Sequence, residues 1–236
     1  MAIETSTPVT RVVVLDPKTG ARRAAAKAVA ERHSSNLLRL CVEVTETAGV
    51  AISGLGGIAC GAGPGSFTGL RVGLAVAKGL ALPTGIALVL VSSLEALALD
   101  MLPGSMPGEL LLPCIDAGKG QIFAALFQQR GGAVMDVVAL TEEWSLLPAA
   151  LVAALPTDGA IAYAGNGAVR HQAALQEALG NRGRWLDVAG PSADAVGRRA
   201  IERLARGEAD DLATAVPSYG RAPDITHPKR PVGPTR

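Results

Sequence analysis

Apolar residues along this chain follow two rhythms, and the switches between them lay out its elements. Short runs rich in β-branched residues come first. Ala2 to Thr5 is followed by Thr10-Arg11-Val12-Val13-Val14-Leu15, and after the turn chemistry of Asp16-Pro17-Lys18-Thr19-Gly20 the chain returns through Arg22 to Val29. The period then lengthens to that of a helix. Leu37, Cys41, Val44 and Ala48 make one apolar stripe, with Ser34 or Ser35 placed to cap it and Gly49 near its end. A buried strand at Gly57–Cys60 leads through a glycine-rich loop into a helix from Ser66 to Leu82, stopped by Pro83. Ile86–Val91 reads as another buried strand, and Ser92 or Ser93 starts a helix ending near Leu102.

The order so far is βββαβαβα, and after the turn-rich joint Pro103-Gly104-Ser105-Met106-Pro107-Gly108 it is predicted again. Strands are expected at Leu110–Ile115, Ile122–Gln128 and Val134–Leu140, a helix at Glu142–Leu155 and a strand at Ile161–Ala164. A helix at Val169–Leu179, a short strand at Trp185–Val188 and a helix at Ala193–Arg206 complete the repeat. Such an α/β chain resembles the two tandem ribonuclease-H-like lobes of actin and the sugar kinases. Residues 1–102 would form the first lobe and 103–221 a second, smaller one. Residues 222–236, with four prolines and several charges, are expected to be a flexible tail.

The helix from Ser66 to Leu82 carries Gly69, Gly73, Ala77 and Ala81 at four-residue spacing, hence on one face. Glycine inside a helix costs about 1 kcal/mol relative to alanine, so a face this bare has a reason. Either another backbone of the same lobe approaches it, or it waits for a partner. Phe67 and Leu70 at the helix start would suit an interface.

Composition narrows the function. Of 236 residues, 49% are hydrophobic and 18% charged, which supports a sizeable core. A net charge of +1 and 3% aromatics give neither the field nor the stacking platform of a direct nucleic-acid binder. Cys41, Cys60 and Cys114 sit apart in apolar runs, as reduced thiols do, and no leader or membrane-length apolar run is seen. A cytoplasmic protein away from the membrane is expected.

The chemical toolkit is thin. Gly63-Pro64-Gly65-Ser66 before a helix offers backbone N–H groups to a phosphate, yet Ser66 is followed by Phe67 and no Gly-Lys-Ser/Thr closes the loop. The ordinary alternative is a tight turn with Ser66 as helix cap. Glu4-Thr5-Ser6-Thr7 and Asp116-Ala117-Gly118-Lys119-Gly120 would face each other across the cleft of an actin-like fold, where a carboxylate at each could place a hydrated metal ion. Glu4, Thr5, Ser6, Gly65, Ser66 and Asp116 are therefore the candidate nucleotide contacts. The ordinary alternative is turn chemistry, with Asp116 favouring the turn and Gly118 and Gly120 supplying positive φ. His33 is followed one turn later by Leu37, so a paired-histidine metal site is missing, and His171 and His227 are expected on the surface. No serine lies in a nucleophile elbow. Neither a catalytic residue nor a metal ligand is assigned.

Gly63-Pro64-Gly65-Ser66-Phe67-Thr68-Gly69-Leu70-Arg71-Val72-Gly73 closely resembles the signature of the bacterial TsaB (YeaZ) family. Ile3-Glu4-Thr5-Ser6-Thr7, His33-Ser34-Ser35-Asn36-Leu37-Leu38, Ile115-Asp116-Ala117, Gly120-Gln121-Ile122-Phe123 and Gly165-Asn166-Gly167-Ala168 agree in order. Pro217-Ser218-Tyr219-Gly220-Arg221 is similar to the family's closing Pro-x-Tyr-Leu-Arg, with Gly220 in place of leucine, and Glu4 stands where the family has Asp.

The resemblance implies a non-catalytic actin-like subunit in the making of threonylcarbamoyladenosine, beside the anticodon of tRNAs reading codons that begin with A. It implies pairing with the catalytic paralogue TsaD through the first two helices, with the ATPase TsaE joining them. It also implies contact with tRNA only through the complex. A homodimer is expected of the chain alone, because two copies can bury the face of Gly69, Leu70 and Gly73 symmetrically. ATP or ADP with magnesium would sit at the complex interface, the subunit bringing no cofactor of its own. Partner contacts are expected at His33, Leu37, Cys41, Phe67, Gly69, Leu70, Gly73 and Ala77. The rival readings are an ATP-dependent phosphotransferase of the sugar-kinase class and, further off, a glycoprotease-like metallopeptidase.

Overall fold

The computed structural model describes residues 1–29, 33–131 and 136–220, without the side chains of 29 and 33–35. Arg221 and the expected tail 222–236, with His227, lie outside the described residues.

The first lobe is built on β1 (Ala2–Glu4), β2 (Val9–Leu15), β3 (Arg22–Val29), β4 (Ile58–Gly63) and β5 (Leu88–Ser92). They lie in the order β3-β2-β1-β4-β5, antiparallel through β1 and parallel beyond it. Side chains alternate across a strand, so the run Val12–Leu15 feeds two cores. Val12 and Val14 join Ile3, Ile58 and Cys60 on one face. Val13 and Leu15 join Ala2, Ala59 and Val89 on the other. The first face is covered by α1 (His33–Thr47), through Leu37, Cys41 and Val44, and by α2 (Phe67–Thr84), through Leu74, Ala77 and Ala81. Gly85 ends α2 in the left-handed conformation at φ 67°, so Pro83 sits in its last turn.

The strand order repeats in the second half. β6 (Leu110–Gly118), β7 (Gln121–Ala124), β10 (Trp144–Leu146), β11 (Ile161–Ala164) and β12 (Gly183–Trp185) run β10-β7-β6-β11-β12. β8 (Phe127–Arg130) and β9 (Asp136–Ala139) are added beside the start of β6. The single strand expected at Ile122–Gln128 is thus two: β7 pairs with Cys114–Gly118, β8 with Leu110–Leu111. The helix expected at Glu142–Leu155 begins later. Trp144–Leu146 is strand, and α4 is Pro148–Ala154, with Pro148 at its first turn. The Val169–Leu179 helix is broken at His171 into α5 (Asn166–Arg170) and α6 (Gln172–Leu179).

One expected boundary fails. α7 (Ala193–Ala205) follows the second sheet in sequence but packs on the first, where Ala193, Ala195, Val196 and Ala200 cover Ala2, Val13, Ala59 and Val91. The first sheet is apolar on both faces, and this helix covers most of the second one, with Ala96 beside it. After α7 the chain stays with the first lobe. Asp210 N donates to Leu88 O (2.8 Å) and its carboxylate accepts from Leu90 N (2.7 Å), blunting the open edge of β5. Between the lobes runs α3 (Ser93–Met101), whose Leu94, Leu97 and Met101 pack against Leu111 and Ile115.

Candidate functional site

The glycine loop follows β4 and meets the end of β1. Ser66 N donates to Ser6 O (2.7 Å), and Ser66 Oγ caps α2 by accepting from Gly69 N (3.2 Å). A β-carbon on Gly69 would overlap the Thr5 carbonyl oxygen, and one on Gly73 the Thr5 hydroxyl. The bare face of α2 is bare because the chain leaving β1, at Thr5, runs against it. Gly69, Leu70, Gly73 and Ala77 are buried inside the lobe, as are Leu37 and Cys41 on α1. The expectation that these six form a partner surface is corrected, and so is the expected exposure of Leu70. Phe67 is the exception, half exposed at the first turn. His33 starts α1, but its side chain lies outside the described residues.

Glu4 is also enclosed. Its carboxylate accepts from Ser6 N (2.6 Å) and Ser93 Oγ (3.0 Å), and a side chain on Gly61 would overlap it. Burial pushes the carboxyl above its ordinary value, against the hydrogen bonds from Ser6 and Ser93 and the charge of Arg11. Thr5 and Ser6 are buried too, and among the described residues neither hydroxyl has a hydrogen-bond partner. A hydrated metal ion needs carboxylate oxygens facing water. Glu4 offers none, so it does not fit as a magnesium ligand, and that part of its expected role is corrected. Gly65 and Ser66 are partly exposed.

Asp116, near the end of β6, is held differently. Its carboxylate accepts from Gly118 N (3.0 Å) and pairs with Arg170 (2.7 Å), while its own N–H donates to Asn166 Oδ1 (3.2 Å). All three partners belong to the second lobe. The two halves of the expected magnesium pair are each spent within their own lobe. Among the described residues no cluster of three or more His, Cys, Asp or Glu side chains stands ready for a metal.

What α1 and α2 present outward is a different set. Leu38 (49% exposed), Val42 on α1, and Ala75, Gly79 and Leu82 (74% exposed) on α2 face away from the core. A β-carbon at Gly79 would meet nothing within 4 Å. Arg71 lies over the Phe67 ring (5.2 Å) and has no carboxylate partner among the described residues, and Phe67 stacks on Tyr219 (4.8 Å). Residues such as Leu82 were legible in one way: α2 is apolar nearly all round, more than one buried face requires. A cavity of about 480 Å³, lined by Leu55, Ile201 and Leu204, lies by the N-terminal ends of β1 and β4, at the opposite end of the sheet from the glycine loop.

Comparison with known proteins decides the family. The family model described as “TsaD: tRNA N6-adenosine threonylcarbamoyltransferase” matches residues 26–170. A Pseudomonas aeruginosa crystal structure, of a protein described as similar to the peptidase YeaZ, is 30% identical. It superposes with a TM-score of 0.78 over 93% of this chain and 98% of its own. The chain belongs to the TsaB (YeaZ) family. Bacillus subtilis “tRNA threonylcarbamoyladenosine biosynthesis protein TsaB” is 33% identical over 121 residues, 51% of either chain. The Escherichia coli protein of the same description is 30% identical over 129 residues, 55% of this chain and 54% of that one. The chain thus spans about half the length of the curated relatives it matches. The superposition also bears out the two-lobed fold.

Proposed function

We propose that this TsaB-family chain is the non-catalytic subunit of the assembly that installs threonylcarbamoyl on the adenosine beside the anticodon. It pairs with the catalytic paralogue TsaD, TsaE joins the pair, and tRNA is met only through the complex, in the cytoplasm. The observation that carries this reading is the outward apolar face of α1 and α2, with Leu38, Val42 and Leu82 in water. A surface of this kind favours a protein partner. Position 37 supports the loss of chemistry: where a second metal-binding histidine would stand one turn after His33, Leu37 points into the core. Without TsaD, the same face joins two copies of the chain. The sugar-kinase reading needs a carboxylate open to the cleft; Glu4 is sealed, and the Asp116 carboxylate is held by Arg170 and Gly118 N.

Gly79→Leu tests the reading. Gly79 is exposed and unobstructed, so the fold tolerates leucine, a better helix former, while the partner meets a new side chain. Overpacking a tight contact costs about 1–3 kcal/mol, roughly one to two orders of magnitude in affinity. The expected outcome is a folded variant that fails to co-purify with TsaD and supports no tRNA modification. A variant that binds TsaD with wild-type affinity removes this face from the interface. Threonylcarbamoyl transfer or robust ATP turnover by the isolated chain would sink the non-catalytic assignment.

A further inference from the structure

Between Ala215 and Gly220 the chain crosses from the core of the first lobe into the cleft. Ala215 is buried against the α1–α2 face of the sheet. From there the segment 216–220 touches both lobes. Ser218 N donates to Ala62 O (2.7 Å) on β4, and its carbonyl oxygen occupies the space that a side chain on Gly63 would need. Tyr219 stacks on Phe67 at the start of α2. On the other side, Ser218 Oγ donates to Glu143 Oε2 (3.3 Å), beside the second sheet, and Glu143 Oε1 accepts from Ser92 Oγ (2.9 Å) at the end of β5. Gly220 is wedged between the lobes. A β-carbon there would lie 2.8 Å from Pro64 Cβ and 2.9 Å from Phe123 Cε1, and its φ of 61° is one that glycine adopts freely.

We propose that residues 216–220 are an intramolecular tie that fixes the angle between the two lobes, and that its release lets them open. Gly220 is the residue that makes this possible, because any side chain would drive Pro64 and Phe123 apart. The pivot is the buried packing of α3 between the lobes, flanked by Arg199 on α7, which binds Asp136 on β9 and Glu95 on α3. With the tie in place Phe67 is held by Tyr219; with it released, the ring and the glycine loop are uncovered together. The inference does not depend on the tRNA reading, since it concerns the isolated chain.

The experiment measures the lobe-to-lobe distance in the full-length protein. Exposed Lys27 on β3 and Glu177 on α6 are replaced by cysteine and spin-labelled. The native thiols stay silent, because all three are buried and burial pushes Cys41 up to about 12. The parent is expected to give a narrow distance distribution and a protected Ser218 amide. Gly220→Val, which expels the segment, is expected to broaden the distribution and lose that protection while β4 stays protected. Should Gly220→Val not fold, the pair Ser218→Ala with Tyr219→Ala, which removes contacts without adding bulk, decides in its place. A folded variant that loses Ser218 protection but keeps the parent distribution overturns the proposal. So does loss of folding in both variants, which would make the segment core rather than tie.

Discussion

Two glycines on one helix have opposite roles. Gly73 faces Thr5 with no room for a methyl group, whereas Gly79, further along α2, faces open space. Gly73→Ala is therefore expected to destabilise the protein by about 1–3 kcal/mol through overpacking. Gly79→Ala should stabilise it by up to about 1 kcal/mol through helix propensity. Urea melts of the two variants check this, and equal effects would mean that α2 does not lie on β1 as described. Glu4 carries a pH signature of its own. A carboxyl held above its ordinary value binds its proton more tightly folded than unfolded. Its stabilising contribution is complete below 4.5, the ordinary value, and is lost as pH rises through the folded one. Glu4→Gln mimics the protonated form, accepting from Ser6 and donating to Ser93. Its stability relative to wild type should rise with pH over that window, measured by denaturant titration at a series of pH values. A difference that stays flat would contradict the burial of the charge. Glu95, Asp100 and Glu143 are raised by the same cause, so both proteins keep a residual slope.

At the scale of elements, α7 joins what the chain order separates. Its Arg199, 10% exposed, binds Glu95 on α3, Asp136 on β9 and Glu202 on its own next turn. Removing one partner of a buried ion cluster costs about 3–5 kcal/mol. The carboxylates here keep some water, so Arg199→Ala should fall at the low end of that range, with α7 and β9 losing amide protection together. Protection lost in only one of them would show that the arginine does not couple the two lobes. α1 illustrates a simpler relation. Its stripe of Leu37, Cys41 and Val44 was plain from spacing, and the structure buries all three. That burial excludes Leu37 and Cys41 from the partner surface they were first assigned to. The outward residues of α1 and α2 did not stand out, since leucines and alanines read alike on either side of a helix.

For the whole molecule, the return of α7 means that the first lobe is not a contiguous piece of sequence, the second being inserted within it. Without 193–205, the face carrying Ala2, Val13, Leu15 and Val91 would be open to water. A fragment of residues 1–102 is expected to be unfolded or aggregated by circular dichroism and sedimentation, and to fold only when the α7 segment is supplied. A well-folded, monomeric 1–102 would show that α7 is dispensable to the first sheet.

The sequence by itself determined the periodic parts: the βββαβαβα order of the first half, the capped α2, and the family, through the run from Gly63 to Gly73. These are local properties, set by side-chain spacing, by turn chemistry and by a contiguous motif. Only the tertiary structure decided which neighbour each residue meets. Whether the glycine face of α2 touches β1 or a partner, whether Glu4 looks into the cleft or into the core, and which sheet α7 covers all depend on residues distant in the chain. A pattern of apolar positions says that a face is buried; it carries no address for what buries it. Gly220 makes the same point, because an isolated departure from a motif acquired meaning only once Pro64 and Phe123 stood on either side of it.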